Sequence, residues 1–172
     1  ERRLTEQKLA QAHREQAQMN ARLSVLHDID RQVLASGSVE ELLQFAIRRM
    51  CETLGCLRAS ILLVDRDEAG DVQQFRLAAV GGAALGLQPP GSTFQKDVFS
   101  ASEIEAYEHG QPVEHTDLGA ILEQHPEYVR LHASGVRSMT QLPLTSRGKL
   151  LGTLNLSYAS VGPPPREDVE IG

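Results

Sequence analysis

Residues 138–158 constrain this chain more tightly than any other stretch. Two runs, SMTQLPLT and LLGTLNLSY, flank the short link Ser146-Arg147-Gly148-Lys149. Apolar and polar side chains alternate through both runs. Alternation at period two marks a half-buried strand, and two such runs joined by a glycine-containing link mark a hairpin. A hairpin requires antiparallel pairing. The alternation also sorts the side chains by face. Leu150, Gly152, Leu154 and Leu156 fall on one face of the second run, with Leu151, Thr153, Asn155 and Ser157 on the other. In the first run Leu142 and Leu144 oppose Met139, Gln141 and Pro143. The apolar face is expected to meet helices, and the mixed face to look toward a pocket or solvent.

A second hairpin is expected earlier in the chain. Residues 59–64 form an apolar run closed by Asp65-Arg66-Asp67, and residues 72–80 return from it until Gly81-Gly82. Ser60 and Leu62 then oppose Ala59, Ile61 and Leu63. Ahead of this hairpin, residues 39–54 read as a helix. Ser38 is its N-cap, Glu41 completes a capping-box pattern, and Gly55 ends it. Its apolar stripe is Leu42, Leu43, Ala46, Ile47, Met50 and Leu54. Residues 83–93, with Gly86, Gly91 and Pro89-Pro90, read as loop. Residues 94–108 carry a weak helical pattern ended by Gly110 and Pro112. A brief strand is expected at 113–117 and a short helix at 126–133. Helices and hairpins in this order imply an α+β fold.

The first 35 residues differ from the rest. They contain no Gly or Pro and are rich in Ala, Gln, Glu, Arg and Leu, which favour helix. Leu9, Ala12, Gln16, Met19, Leu23, Leu26, Asp30 and Val33 recur in alternating steps of three and four. That spacing is a heptad seam, and a thin seam on a long helix suits a parallel two-stranded coiled coil. Gln16 and Asp30 would weaken the coil while restricting its register. A homodimer through Leu9, Ala12, Met19, Leu23, Leu26 and Val33 is therefore expected.

Composition excludes several classes of function. The 172 residues carry 17 basic against 23 acidic side chains, a net charge of −6. Nucleic acid is not expected as a partner, because a phosphate-binding surface needs a basic patch and none is present. No apolar run approaches the ~18 residues of a membrane span. The charged N-terminus does not resemble a secretory signal. Two cysteines, Cys51 and Cys56, suit a reducing compartment, so a cytoplasmic setting is expected. The chain opens at Glu1 inside a helical pattern and stops at Gly172, where a helix begins after Pro163-Pro164-Pro165. It reads as a piece of a longer protein with its last helix cut short.

Three segments resemble a known family. VEELLQFAIRRMCETLGCLRASILLVD resembles the opening of a GAF domain, with a helix, a Gly and a strand ending in Asp65. EHGQPVEHTDL resembles its middle element, a Gly-Gln-Pro turn leading to a strand and Asp117. GVRSMTQLPLTSRGKLLGTLNLSY resembles its closing hairpin, with Pro143-Leu144, a turn, and Gly152 before alternating Leu154 and Leu156. The resemblance implies a PAS-like central antiparallel sheet with helices on one face and a loop-roofed pocket on the other. It also implies two units, a signalling helix over residues 1–35 and a GAF domain over residues 23–172. ERRLTEQKLAQAH is similar to the helix that leaves many PAS domains. A PAS domain upstream and an output domain downstream, a histidine kinase or a cyclic-dinucleotide cyclase, are the expectation for a bacterial parent protein.

The candidate pocket residues are Ser60, Phe94, Asp117, Met139, Gln141, Thr153 and Asn155. Such a mixture of apolar walls and a few polar groups suits a small ligand. No catalytic residues are expected. Cys51 lies beside the helix stripe and Cys56 follows Gly55, places where cysteine is ordinarily an inert small hydrophobe. Bilin-binding GAF domains use a cysteine often followed by His, and neither Cys here precedes His, so a covalent bilin is not expected. No two of the six histidines stand at i, i+4, and no metal site is expected. His109 and His115 flank the Gly110-Gln111-Pro112 turn, but surface histidines are the simpler reading and haem is not expected. Gly81-Gly82 lacks the following helix and Gly-Lys-Ser/Thr of a phosphate loop. The Asn-Lys, Phe and Asp signature of cyclic-nucleotide GAF domains is also absent. The expectation is a non-catalytic regulatory module that binds a small ligand, relays a signal through a dimeric coiled coil, or does both. The alternative is a structural dimerisation spacer with no physiological ligand.

Overall fold

Arg147 and Gly148 both take positive φ, 51° and 74°, and turn the 138–158 segment back on itself. Two-residue turns with positive φ at both positions match the natural twist of paired strands. The computed structural model describes residues 38–83 and 88–163. In chain order its elements are α1 (Val39–Leu54), β1 (Arg58–Arg66), β2 (Val72–Gly82), β3 (Thr93–Gln95), α2 (Ala101–Glu108), β4 (Val113–His115), α3 (Val129–Ala133), β5 (Ser138–Ser146) and β6 (Lys149–Tyr158). Short 3-10 turns occupy Lys96–Val98, Leu118–Ile121 and Pro126–Tyr128. The seam residues Leu9, Ala12, Met19, Leu23, Leu26 and Val33, Gly86, and the helix expected after Pro165 lie outside the described residues.

The strands form one antiparallel sheet in the order β3-β2-β1-β6-β5-β4. Both hairpins are present, and β1 against β6 joins them edge to edge. The fold is α+β, as the residue pattern implied. Between β1 and β2, the Asp67 carboxylate accepts from the Ala69 and Asp71 amides at 3.0 and 2.9 Å, and Gly70 sits at φ 89°. An Asp that satisfies the backbone in this way closes a turn locally.

Helix α1 covers one face. Ser38 Oγ accepts from the Glu41 amide at 3.2 Å, and Gly55 ends the helix at φ 66°. Ile47 and Cys51 bury against Ala59, Ile61, Ala79, Leu142, Leu154 and Leu156, with Leu43, Met50 and Leu54 packed around them. Full burial of an aliphatic side chain of this size contributes roughly 1.5–3 kcal/mol. The Gln44 side chain bonds both backbone groups of Val80, donating to its carbonyl and accepting from its amide. Gly81 lies under the helix, where a Cβ would meet Arg48 Cα and the Ile47 carbonyl at 3.0 Å. Strand β2 thus runs through Gly81-Gly82 rather than ending before it.

The opposite face is covered by the segment between β3 and β5. Leu62, Val72, Phe75, Leu77, Phe99 and Tyr107 form its apolar centre. Phe75 and Phe99 meet edge to face at 4.7 Å between ring centres. Two departures from simple pattern reading occur here. Phe94 is not helical but lies in β3, opposite Phe75 at the sheet edge. Tertiary pairing overrides the weak helical periodicity, and the helix starts only at Ser100, which caps it. The second departure concerns Leu150. Leu144 pairs with Gly152 but Thr145 pairs with Leu150, so Leu151 is an extra residue in β6. This bulge turns Leu150 to the face opposite Gly152, where it joins Leu62 and Phe75 and is 3% exposed, while Leu151 is 50% exposed.

Candidate functional site

A cavity of about 140 Å³ lies between the sheet and the segment crossing it. Alternation builds its floor. Arg58, Ser60 and Leu62 project from β1, and Leu77 from β2. Met139 and Gln141 come from β5, and Asn155 and Ser157 from β6. Phe94, Val98 and Phe99 supply one side wall. Tyr128, Arg130 and Leu131, with Glu127, supply another.

Five of the seven sequence-chosen residues meet here: Ser60, Phe94, Met139, Gln141 and Asn155. Thr153 and Asp117 do not line the cavity. Thr153 faces the same side of the sheet but stands between Leu62 and Pro143 in register and is completely buried. Asp117 caps the Leu118–Ile121 turn, its carboxylate accepting from the Gly119 amide at 3.0 Å. A short acidic side chain at such a position is drawn to the nearby free amide rather than outward. Arg58 was not among the sequence-chosen residues. It stands two positions before Ser60, so strand alternation places it on the same face. Tyr128 and Arg130 come from the crossing segment, where no local pattern marks them.

A buried polar network underlies the cavity. The Tyr107 hydroxyl donates to Gln141 Oε1 at 2.7 Å, and the Tyr128 hydroxyl donates to Glu103 Oε1 at 3.2 Å. Glu103 Oε1 also lies 2.9 Å from His115 Nε2. Its other oxygen accepts from the Ser100 amide at 2.7 Å and the Ser100 hydroxyl at 2.8 Å, closing a capping box on α2. Burial opposes ionisation of Glu103, but the bonds from His115 and Ser100 prevail and bring its pKa down to about 2. Burial pushes the Tyr107 and Tyr128 hydroxyls the other way, well above the usual tyrosine range, with Glu103 adding to the shift. These phenols stay protonated and serve as donors.

Both cysteines lie in the cluster under α1, on the face away from the cavity. Their sulfurs are 3.2 Å apart, and Cys51 Sγ is 3.1 Å from the Cys56 carbonyl. Among the described residues no three His, Cys, Asp or Glu side chains are grouped to hold a metal ion. No helix among them is long and apolar enough to cross a membrane.

One antiparallel sheet, helix-backed on one face and roofed over a cavity on the other, defines a class of small α+β domains. The GAF domain family matches residues 38–171, and this chain belongs to that family. GAF domains are regulatory sensor modules. Solved structures share the fold. The phycocyanobilin-bound GAF domain of a cyanobacterial phytochrome is 19% identical, with a TM-score of 0.67, over 86% of this chain and 85% of that one. The GAF domain of an Acinetobacter phosphoenolpyruvate-protein phosphotransferase is 19% identical, with a TM-score of 0.60, over 87% and 84%. A domain of a protein described as a two-component sensor histidine kinase from Sinorhizobium meliloti 1021 is 21% identical, with a TM-score of 0.54, over 78% and 82%. No curated protein matches the sequence.

Proposed function

We propose that this domain is a regulatory sensor whose cavity takes a small organic ligand. The observation behind this reading is the cavity itself, apolar walls around Ser60, Gln141 and Asn155. A few placed polar groups among apolar walls are what a small-molecule site requires. The same fold carries a bound small molecule in the cyanobacterial phytochrome. Both thiols lie behind the sheet, away from the cavity, which argues against covalent attachment of a bilin here. The cavity volume, about 140 Å³, is near that of an engineered cavity that accepts benzene.

In this reading the ligand favours one pose of two protomers, joined through the helix of residues 1–35, and a downstream output domain reads that pose. Such coupling requires different ligand affinities in the two poses. The heptad seam supports the dimer, and the likeness to the Sinorhizobium meliloti domain supports a histidine kinase as output.

A thermal-shift screen of small metabolites against the whole chain tests the proposal. A specific ligand raises the melting temperature by mass action. Filling the cavity with Ser60→Leu is expected to abolish that rise. Light scattering is expected to report a dimer. A dimer that no metabolite stabilises would replace the sensor with a dimerisation spacer.

A further inference from the structure

We infer that the cavity selects a small carboxylate, with the Arg58 guanidinium as its anchor. This specifies the ligand class for the sensor reading and rests on that reading. Arg58 opens β1, lines the cavity and is only 8% exposed. Among the described residues its guanidinium has neither an ion-pair partner nor a hydrogen bond, and its electrostatic neighbour is the Cys51 thiol. A largely enclosed charge without a counter-charge opposes folding, and an anion entering the cavity would relieve that cost.

The neighbouring acids are already engaged. Glu127 lines the same cavity, but its carboxylate lies 2.8 Å from His125 Nδ1. Glu103 is held by Ser100, His115 and Tyr128. The exposed Arg130 adds a second cation to the wall. Burial lowers the Arg58 pKa, yet a guanidinium stays charged at neutral pH. Its planar fork matches a carboxylate in two parallel hydrogen bonds.

Asn155 specifies a second contact. Its Nδ2 is 3.4 Å from Ser60 Oγ, while its Oδ1 is buried with no partner. Asn155 and Ser60 both line the cavity, so this polar pair offers a ligand group a hydrogen bond. The remaining walls near the floor, Leu62, Leu77, Phe99 and Met139, are apolar. The occupant is thus an anion with a compact apolar body, about the size of one ring, carrying a further hydrogen-bonding group.

The test uses benzoate and 4-hydroxybenzoate as probes, with benzamide as the neutral isostere and inorganic phosphate as the ionic control. Melting temperature and calorimetric affinity are measured on the whole chain at matched ionic strength. The carboxylates are expected to raise the melting temperature at millimolar concentration, and benzamide and phosphate are not. Arg58→Met is expected to weaken carboxylate binding by about tenfold or more, the usual scale for a lost charged hydrogen bond. It is also expected to raise the melting temperature of the ligand-free protein, since an unpaired buried charge is removed.

Ser157 stands directly across the sheet from Arg58. Ser157→Asp places a carboxylate opposite the guanidinium, and it is expected to stabilise the free protein and abolish the response to benzoate. Equal binding of benzamide, or binding undiminished in Arg58→Met, overturns the carboxylate assignment and leaves the sensor reading standing. Destabilisation of the free protein by both variants makes Arg58 a structural residue and overturns it too. Silence from all four probes overturns the assignment, while hits of other chemistry in the wider screen preserve the sensor.

Discussion

Glu103 Oε1 lies 2.9 Å from Nε2 of His115, and the pair is almost wholly buried, with side-chain exposures of 5% and 12%. The contact ties α2 to β4 beside the cavity floor. Its carboxylate also caps its own helix through Ser100, so one side chain joins helix, edge strand and Tyr128. The stability of the crossing segment therefore depends on an ionised Glu103.

That dependence has a sign in pH. The Glu103 pKa falls from 4.5 to about 2 on folding. The stabilisation is fully present above about pH 5 and is lost as the pH drops through 4.5 toward 2, a total of roughly 3 kcal/mol. Glu103→Gln is expected to lower stability at pH 7 by about 2–3 kcal/mol. Urea unfolding at several pH values checks this, and the gap between wild type and variant should narrow below pH 4.5.

Gly152 faces the Leu62 carbonyl across the β1–β6 pair, and a Cβ there would overlap that oxygen. Gly152→Ala forces the two central strands apart. The expected cost is about 3 kcal/mol or more, at the upper end for overpacking. Gly81→Ala, beneath α1 with its nearest atoms at 3.0 Å, is expected to cost less. Denaturant midpoints of the two variants give the comparison.

The bulge at Leu151 predicts opposite outcomes at adjacent residues. Leu150→Ala removes a side chain that is 3% exposed and is expected to cost about 2–5 kcal/mol. Leu151→Ala removes one that is 50% exposed and is expected to stay within about 0.5 kcal/mol of wild type. Similar losses at both positions would contradict the register of the closing hairpin.

The two thiols are expected to be inert in the folded protein. Cys51 and Cys56 are 5% and 8% exposed and point into an apolar cluster. Titration with a thiol reagent should be slow without denaturant and complete with it, since reactivity follows access and thiolate fraction. Incubation with biliverdin should likewise leave no covalent adduct on a denaturing gel.

Much of the fold was legible in the sequence because it rests on local physics. Ser38 and Gly55 bracket α1 through cap geometry, and Asp67 and Arg147-Gly148 close the hairpins through turn geometry. Period two sorted Ser60, Met139, Gln141 and Asn155 onto the cavity side. The same rule reaches Arg58, one step earlier on the same strand, although a charged residue at a strand boundary reads as solvent-exposed. Thr153 obeyed the alternation and still missed the cavity, because alternation assigns a face and not a depth. Asp117 was captured by an amide two residues away, a competition invisible in a family likeness.

By itself the sequence determined the α+β class, both hairpins, the capped helix α1 and the apolar face beneath it. Each follows from spacing over a few residues, where backbone geometry leaves few choices. Only the tertiary structure decided where β3 pairs, where β6 bulges, and which side chains close over the sheet. It alone brought Arg58, Tyr128 and Asn155 around one space and left the guanidinium without a counter-charge among the described residues. Contacts between residues far apart in the chain depend on how whole elements pack, and no local pattern records that.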